Sequence, residues 1–345
     1  MCGIAGICNL TRDDAPEEPL LRRMLAAIRH RGPDEFGIYL DDHTGLGSAR
    51  LSILDLAGGQ QPIANEDETL WIVFNGEIFN YLELRAELES AGHIFRTETD
   101  TEVLLHLYED LGPECLRKLN GDWAVALWNS SARELFLARD RVGVRPLFYT
   151  LNNGRLVFGS EIKALLADPA VSPEVDPIAL NQIFTFWSTL APRTAFRGIQ
   201  EIPPGCCATV RDGKVDVRQW WKLEFSEKAH TQKSEELADA LAALLVDATK
   251  LRLRADVPVG AYLSGGLDSS TIAAVVRHET NNRLDTFSIA FTDAQFDESM
   301  HQQRMAAALG TDHHIVRAAH GDIARVFPEL IRHVETPIVR TAPAP

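Results

Sequence analysis

A chain of 345 residues is long enough for two domains, and 45% hydrophobic with 24% charged residues can fill a sizeable globular core. Its 49 acidic residues outnumber 34 basic ones, giving a net charge of −15 with no Lys/Arg-dense stretch to offset it, which argues against nucleic acid as a partner. The five cysteines (Cys2, Cys8, Cys115, Cys206 and Cys207) are odd in number and show no CxxC spacing, so neither a disulfide framework nor a zinc site is expected from them. No apolar run has the length of a transmembrane helix, and Arg12, Asp13 and Asp14 interrupt the N-terminus before a signal-peptide core can form, so a cytoplasmic chain without a membrane partner is expected.

Taken in order, the first elements alternate strand and helix. Residues 4–8 are short and apolar, as in a buried strand. Leu20, Met24, Ala27 and Ile28 recur at helical spacing ahead of the breaker Gly32-Pro33. Residues 70–74 predict a strand running into a turn at Asn75-Gly76, and residues 81–91 a helix with Gly92 just past its end. Thr99-x-x-Glu102 has the form of a capping box opening a helix over 102–111, which Gly112 stops. From 123 to 158 the period becomes two. Segments at 124–128, 134–138, 147–151 and 156–158, joined by turns such as Asn152-Asn153-Gly154, predict an antiparallel sheet. A hairpin of 206–211 and 215–220 across Asp212-Gly213 closes a first domain spanning 2–220.

Residues 221–233 are polar and mixed, as in a linker. Beyond them Leu237, Leu241, Leu244, Leu245 and Ala248 form one helical face. A short apolar strand over 257–263, a glycine turn, a helix over 269–278 and a strand over 286–291 follow, so 234–345 predicts a parallel α/β domain and the chain as a whole an α/β class.

Two places carry chemistry. Cys2 precedes the small residue Gly3, which suits removal of Met1 and sets an α-amine beside a thiol. The amine, with an ordinary pKa of about 8, is able to take the thiol proton, so nucleophile and base come from one residue. On its own this is a weak signal, since a small buried cysteine is the commoner case. The second place is Ser264-Gly265-Gly266-Leu267-Asp268-Ser269-Ser270, between a strand and a helix. Its glycines allow close backbone approach, its N–H groups and helix N-terminus favour an anion, and Asp268 suits a Mg²⁺ shared with a nucleotide. It lacks the GxxxxGK[ST] spacing of a Walker loop.

The first 165 residues resemble class II glutamine amidotransferases, the family with an N-terminal nucleophile. The resemblance rests on Met1-Cys2-Gly3-Ile4-Ala5-Gly6, His30-Arg31-Gly32-Pro33-Asp34, Arg50-Leu51-Ser52-Ile53, Asn75-Gly76-Glu77-Ile78-Phe79-Asn80, the run from Thr97 to Glu102, Gly121-Asp122-Trp123-Ala124, Arg139-Asp140 and Ser160-Glu161-Ile162-Lys163. It implies an Ntn-hydrolase αββα sandwich with Cys2 as nucleophile and an oxyanion hole from the Asn75 side chain and the Gly76 N–H. It also implies glutamine binding by Arg50, Leu51, Ser52, Ile53, Asn75, Gly76, Glu77 and Asp100, with Arg50 on the α-carboxylate and Asp100 and the Gly76-Glu77 segment on the α-ammonium. The second motif resembles the PP-loop of ATP pyrophosphatases. That resemblance implies ATP binding by Ser264, Gly265, Gly266, Asp268 and Ser269, with the adenine side met at Tyr262 and Ile289.

Together the halves resemble the glutamine-hydrolysing asparagine synthetases, with Asp256-Val257-Pro258-Val259-Gly260 before the loop and Leu309-Gly310-Thr311-Asp312-His313-His314 after it. The family implies ammonia released from glutamine at Cys2, passed inside the protein to aspartate activated by ATP and Mg²⁺ as β-aspartyl-AMP, and a homodimer as one assembly open to it. No SGEGxDE-type segment occurs in 234–345, so the chain is expected to end inside its synthetase domain, with the parallel α/β domain incomplete. Two alternatives stay open: a related amidotransferase acting on another carboxylate, and a glutamine-binding module without synthesis.

Overall fold

The computed structural model describes residues 2–11, 14–225, 233–279 and 284–344. Met1, Arg12 and Asp13, and residues 226–232 of the expected linker, lie outside the described residues. The chain divides into two compact units, Met1–Glu224 with Glu335–Val339, and Phe225–Val334 with Arg340–Pro345.

The first unit contains β1 (Gly3–Asn9), α1 (Glu18–Ala27), β2 (Glu35–Leu40), β3 (Thr44–Arg50), β4 (Ile63–Ala64), β5 (Leu70–Ile78), α2 (Tyr81–Ala91), α3 (Asp100–Leu111), β6 (Gly121–Asn129) and β7 (Glu134–Arg139). β8 (Phe148–Asn152), β9 (Arg155–Gly159), α4 (Ile162–Leu165), α5 (Pro177–Phe186), β10 (Ile199–Glu201), β11 (Cys206–Arg211) and β12 (Lys214–Gln219) follow. The strands make two antiparallel sheets, ordered β10-β8-β9-β1-β3-β2 and β12-β11-β7-β6-β5-β4.

Side-chain alternation along the strands builds the layers. From β1, Ile4 and Cys8 point into a cluster with Leu46, Val73, Ala126, Trp128 and Leu137, which joins the two sheets face to face. Ala5 and Ile7, of opposite parity, meet Leu21, Met24 and Leu25 of α1. On the far side Ile72, Phe74, Val125 and Leu127 pack on Leu84, Leu88, Val103 and Leu104 of α2 and α3. The result is the expected αββα sandwich. Glu335, in the returning segment, accepts from the N–H groups of Ile162 (2.5 Å) and Lys163 (2.6 Å) at the start of α4 and lies 3.1 Å from Lys163 Nζ.

Three expectations need correction. The stretch from 123 to 158 supplies strands to both sheets, with β6 and β7 in one and β8 and β9 in the other. A period of two identifies a strand but not its neighbour, which non-local pairing decides. Asn75-Gly76 is no turn either, because β5 runs on to Ile78 with Asn75 opposite Ala124 and Gly76 opposite Trp123. α3 begins at Asp100 rather than Glu102. Thr99 caps it by accepting from Glu102 N (3.3 Å), but the Glu102 carboxylate takes the N–H groups of Arg96 (2.8 Å) and Thr97 (2.6 Å), so only half of the capping box forms.

The second unit contains α6 (Ser234–Leu251), β13 (Gly260–Tyr262), α7 (Leu267–Glu279), β14 (Asp285–Phe291), α8 (Ser299–Leu309), β15 (Asp312–Ala318) and α9 (His320–Val334). β13, β14 and β15 form a parallel sheet, as the strand–helix–strand order predicts. The strand expected over 257–263 shortens to β13, and Leu263, Ala273, Ala306 and Leu309 form a small core. Among the described residues no helix is long and apolar enough to cross a membrane.

Candidate active site

Cys2 stands immediately before β1, beside the end of β3, because β1 and β3 pair from Gly3 opposite Ala49. The Leu51 N–H donates to Cys2 Sγ at 3.4 Å, and Sγ lies 3.6 Å from Leu51 O. Burial pushes the Cys2 thiol up, while the Leu51 N–H pulls in the other direction. A thiol in that state would need a base to act as a nucleophile. Arg31 Nε donates to Cys2 O at 2.9 Å and Nη1 binds Glu161 at 2.8 Å, so a buried ion pair fixes the backbone at Cys2.

β5 brings Asn75, Gly76 and Glu77 to the same cavity, which Arg50, Leu51, Ile53 and Asp100 also line. Asn75 is fully buried. Its Nδ2 lies 3.5 Å from Ser160 Oγ, and its Oδ1 has no protein partner among the described residues. A Cβ at Gly76 would lie 2.2 Å from Asp122 O and 2.5 Å from Trp123 Cα, so close approach of β6 explains this glycine. Its φ is not positive, so the unusual dihedral that glycine also permits is not used here.

Asp100 is buried in the first turn of α3 and accepts from the Ile78 N–H at 2.8 Å. Burial pushes its carboxyl up to about 7, with Ile78 N–H opposing and the Glu77 charge adding to the rise. An ammonium group delivered here would supply the missing counter-charge. Arg50 is buried, with Nη1 on Glu35 (2.8 Å) and Nη2 on the carbonyls of Leu54 (2.7 Å) and Asp55 (2.8 Å). These bonds lock the fork in place and leave part of its five-donor set for a ligand carboxylate.

Ser52 is the one expected glutamine residue that does not line the cavity; its N–H donates to Asp34 Oδ2 at 2.9 Å. Other residues enter that the motifs did not single out. Gln61 is buried, its Oε1 accepting from Phe74 N (2.7 Å) and its Nε2 3.3 Å from Thr101 Oγ1, so it ties β5 to α3. Gly59 and Arg145 also line the cavity. Ser160 Oγ accepts from the Ile4 N–H (2.9 Å) while facing Asn75, and so links β1 to β5.

In the second unit the loop from Ser264 to Ser269 joins β13 to α7. Gly265 takes a φ of +88°, which glycine tolerates without strain. Ser264 Oγ and Ser269 Oγ are 2.9 Å apart, and Ser269 Oγ also receives the Ser264 N–H at 3.2 Å. Gln302 of α8, which sequence did not signal, is buried and donates through Nε2 to Ser264 O (3.3 Å) and Ile289 O (2.9 Å). It joins the loop to the backbone expected on the adenine side. Tyr262 is 87% exposed and Ile289 37%, so the Tyr262 ring stands open to solvent while the Ile289 carbonyl is held by Gln302. Asp268 is exposed in the first turn of α7 and has no side-chain bond to another described residue. A carboxylate beside this glycine loop is of the kind that would hold a Mg²⁺.

A family model for the glutamine amidotransferase domain matches residues 1–221. The chain belongs to the glutamine amidotransferase family. A second model, for asparagine synthase, matches residues 240–345. Glutamine-hydrolysing asparagine synthetase 1 of Bacillus subtilis (strain 168) is 38% identical over 348 residues, covering 100% of this chain and 54% of that protein. Asparagine synthetase 3 of the same organism is 38% identical over 331 residues, covering 91% of this chain and 54% of its own length. The chain thus spans about half the length of these curated relatives. A solved structure described as the allosteric regulatory enzyme of purine biosynthesis aligns with a TM-score of 0.50 at 17% identity, covering 92% of this chain and 80% of that one, which is a likeness of fold.

Proposed function

We propose that this amidotransferase hydrolyses glutamine at Cys2 and that the ammonia aminates an aspartate activated by ATP, giving asparagine, AMP and pyrophosphate. The observation that carries the first half is the convergence of Cys2, Arg50, Asn75, Gly76 and Asp100 on one cavity, from the residue before β1 and from β3, β5 and α3. The asparagine synthase match over 240–345 and the Ser264–Ser269 loop support the second.

In this reading Arg50 receives the glutamine carboxylate and Asp100 and Glu77 the ammonium, which sets the side-chain amide over Sγ. Once Met1 is removed, the freed α-amine of Cys2 takes the thiol proton as Sγ adds to the amide carbon. The carbonyl oxygen becomes an oxyanion held by Asn75 Nδ2 and the Gly76 N–H. Collapse breaks the C–N bond, the amine returns the proton to the leaving nitrogen, and ammonia departs from a thioester. Water, deprotonated by the same amine, then releases glutamate and restores the thiol. In the second unit the Ser264–Ser269 loop would cradle the phosphates as an aspartate carboxylate oxygen attacks the α-phosphorus and pyrophosphate leaves. Asp268 would hold Mg²⁺, which supplies charge neutralisation there. Ammonia then displaces AMP from the acyl carbon.

The test is glutamate and asparagine production with glutamine alone and with ATP, Mg²⁺ and aspartate added. Cys2→Ser should abolish glutamate release under both conditions. Glutamate release persisting in Cys2→Ser would sink the glutaminase assignment. Amination of a different carboxylate in preference to aspartate would overturn the acceptor.

A further inference from the structure

Two charged groups in the cavity, Arg50 and Asp100, come from different elements, β3 and α3. Between them runs the loop of residues 51–62, which joins β3 to β4. Packing does not hold its tip, since Leu56, Ala57 and Gly58 are exposed while Leu54 and Gly59 on either side are buried. The polar groups of one residue, Asp55, hold it instead.

Asp55 takes a left-handed backbone conformation, with φ +47°, which aspartate tolerates better than most side chains. Its carbonyl oxygen accepts from the Gly59 N–H (3.1 Å), closing a turn, and from Arg50 Nη2 (2.8 Å). Its carboxylate divides between two partners: Oδ1 accepts from the Gly58 N–H (2.8 Å) and Oδ2 from the Glu98 N–H (2.9 Å). Glu98 immediately precedes Thr99, the cap of α3, and Asp100 is the first residue of that helix. Asp55 thus holds the Arg50 guanidinium through its main chain and the approach to Asp100 through its side chain. Both glycines fit this arrangement. A Cβ at Gly58 would lie 2.7 Å from Asp55 Oδ2, and one at Gly59 would run into Arg50 Nη2 and Thr99 Cγ2. The bare backbone of Gly59 therefore passes in contact with both groups, and Gly58 leaves the carboxylate its place. Thr97 is held from the helices, its N–H on Glu102 (2.6 Å) and its carbonyl on Arg85 Nη1 (2.7 Å). The Asp55 bond ties the next residue to the loop that seats Arg50.

Taking this cavity as the glutamine site, we propose that Asp55 is a positioning residue for substrate specificity. It sets the spacing between Arg50 and Asp100, and so selects a ligand with carboxylate and ammonium on one carbon over a ligand with the carboxylate alone.

Asp55→Asn separates the two arms. The amide tolerates the left-handed backbone and its Oδ1 still accepts from Gly58, but its Nδ2 carries hydrogens and cannot accept from the Glu98 N–H. The experiment measures, on the full chain, calorimetric Kd values for L-glutamate and for glutarate, which lacks only the α-amine, beside kcat and KM for glutamine. Asp55→Asn should weaken L-glutamate about tenfold while glutarate stays within about twofold, so the preference for the amino acid narrows. KM for glutamine should rise by about the same factor, with kcat within about threefold of the parent. Asp55→Ala also loses the Gly58 bond that shapes the carbonyl seat of Arg50, and should weaken both ligands. Equal loss of both ligands in Asp55→Asn, loss of neither, or a fall in kcat at constant KM would overturn the proposal. A parent protein that prefers L-glutamate to glutarate yet does not hydrolyse glutamine would defeat the glutaminase reading alone, and the two Kd values would still decide the role of Asp55. A parent that binds neither ligand overturns both. Should Asp55→Ala fail to fold, Asp55→Asn with a melting temperature near that of the parent decides.

Discussion

Replacing Gly76 by alanine isolates one part of the proposed machinery. The new methyl would sit 2.2 Å from Asp122 O and 2.5 Å from Trp123 Cα, both backbone atoms of the neighbouring strand. To restore ordinary contact at 3.4 Å, β5 and β6 must part by roughly 1.2 Å at this point. The Gly76 N–H would move with its strand, and a donor misplaced by about 1 Å costs on the order of a hundredfold in rate. Loss of one oxyanion donor, worth about 10²–10³ in kcat, sets the upper end. Glutaminase kinetics should therefore show kcat down by about two orders of magnitude, with KM changed far less, because Arg50 stands on another strand. Circular dichroism and a melting curve establish that the variant is folded. A folded Gly76→Ala protein with kcat within about threefold of the parent would refute the placement of the oxyanion at this N–H.

With the Asp100 carboxyl at about 7, kcat/KM for glutamine should rise as pH increases through that value, since the carboxylate form binds the ammonium. Because folding raises this pKa, its contribution to stability falls as pH rises from about 4 toward 7, and Asp100→Asn should flatten that part of a melting-temperature profile while raising KM. Glu161 is buried; burial raises its pKa, but Lys163 and Arg31 outweigh this and hold it below the usual carboxylate range. Its stabilisation is present above that range and lost as pH falls through the folded value. Glu161→Gln strands the Arg31 charge and should cost about 3 kcal/mol in chemical denaturation, with loss of glutaminase activity. Gln302→Leu removes two hydrogen bonds behind the Ser264 loop and should weaken ATP about tenfold by calorimetry, leaving the glutaminase rate unchanged.

The residues that touch substrate in this scheme were legible because their chemistry restricts type: a thiol at Cys2, a guanidinium at Arg50, an amide at Asn75 and a buried acid at Asp100. Gln61 and Gly59 were not, since they reach the cavity along a loop with no periodic pattern and act by packing against Phe74, Thr101 and Arg50. Asn75-Gly76 shows the reverse failure. Its local preference is for a turn, but nine consecutive pairings with β6 hold it extended. The second sheet was hidden for a related reason, since alternation along β8 reports burial of a face without saying that β9 and β10 are its neighbours. Gln302 lies in an alanine- and glutamine-rich helix with a weak apolar stripe, so neither α8 nor its buttressing role stood out.

The Glu335 carboxylate gives a practical limit on domain dissection. The two N–H groups at the start of α4 are served by a residue far along the chain, so the amidotransferase unit is not contiguous in sequence. A protein ended at Glu224 would leave Ile162 N and Lys163 N uncapped, a loss of about 1 kcal/mol, next to the Ser160-Glu161 pair that steadies Asn75 and Arg31. A recombinant glutaminase cut at that boundary should be less stable than its core suggests, and retaining the Glu335 segment is the repair to try first.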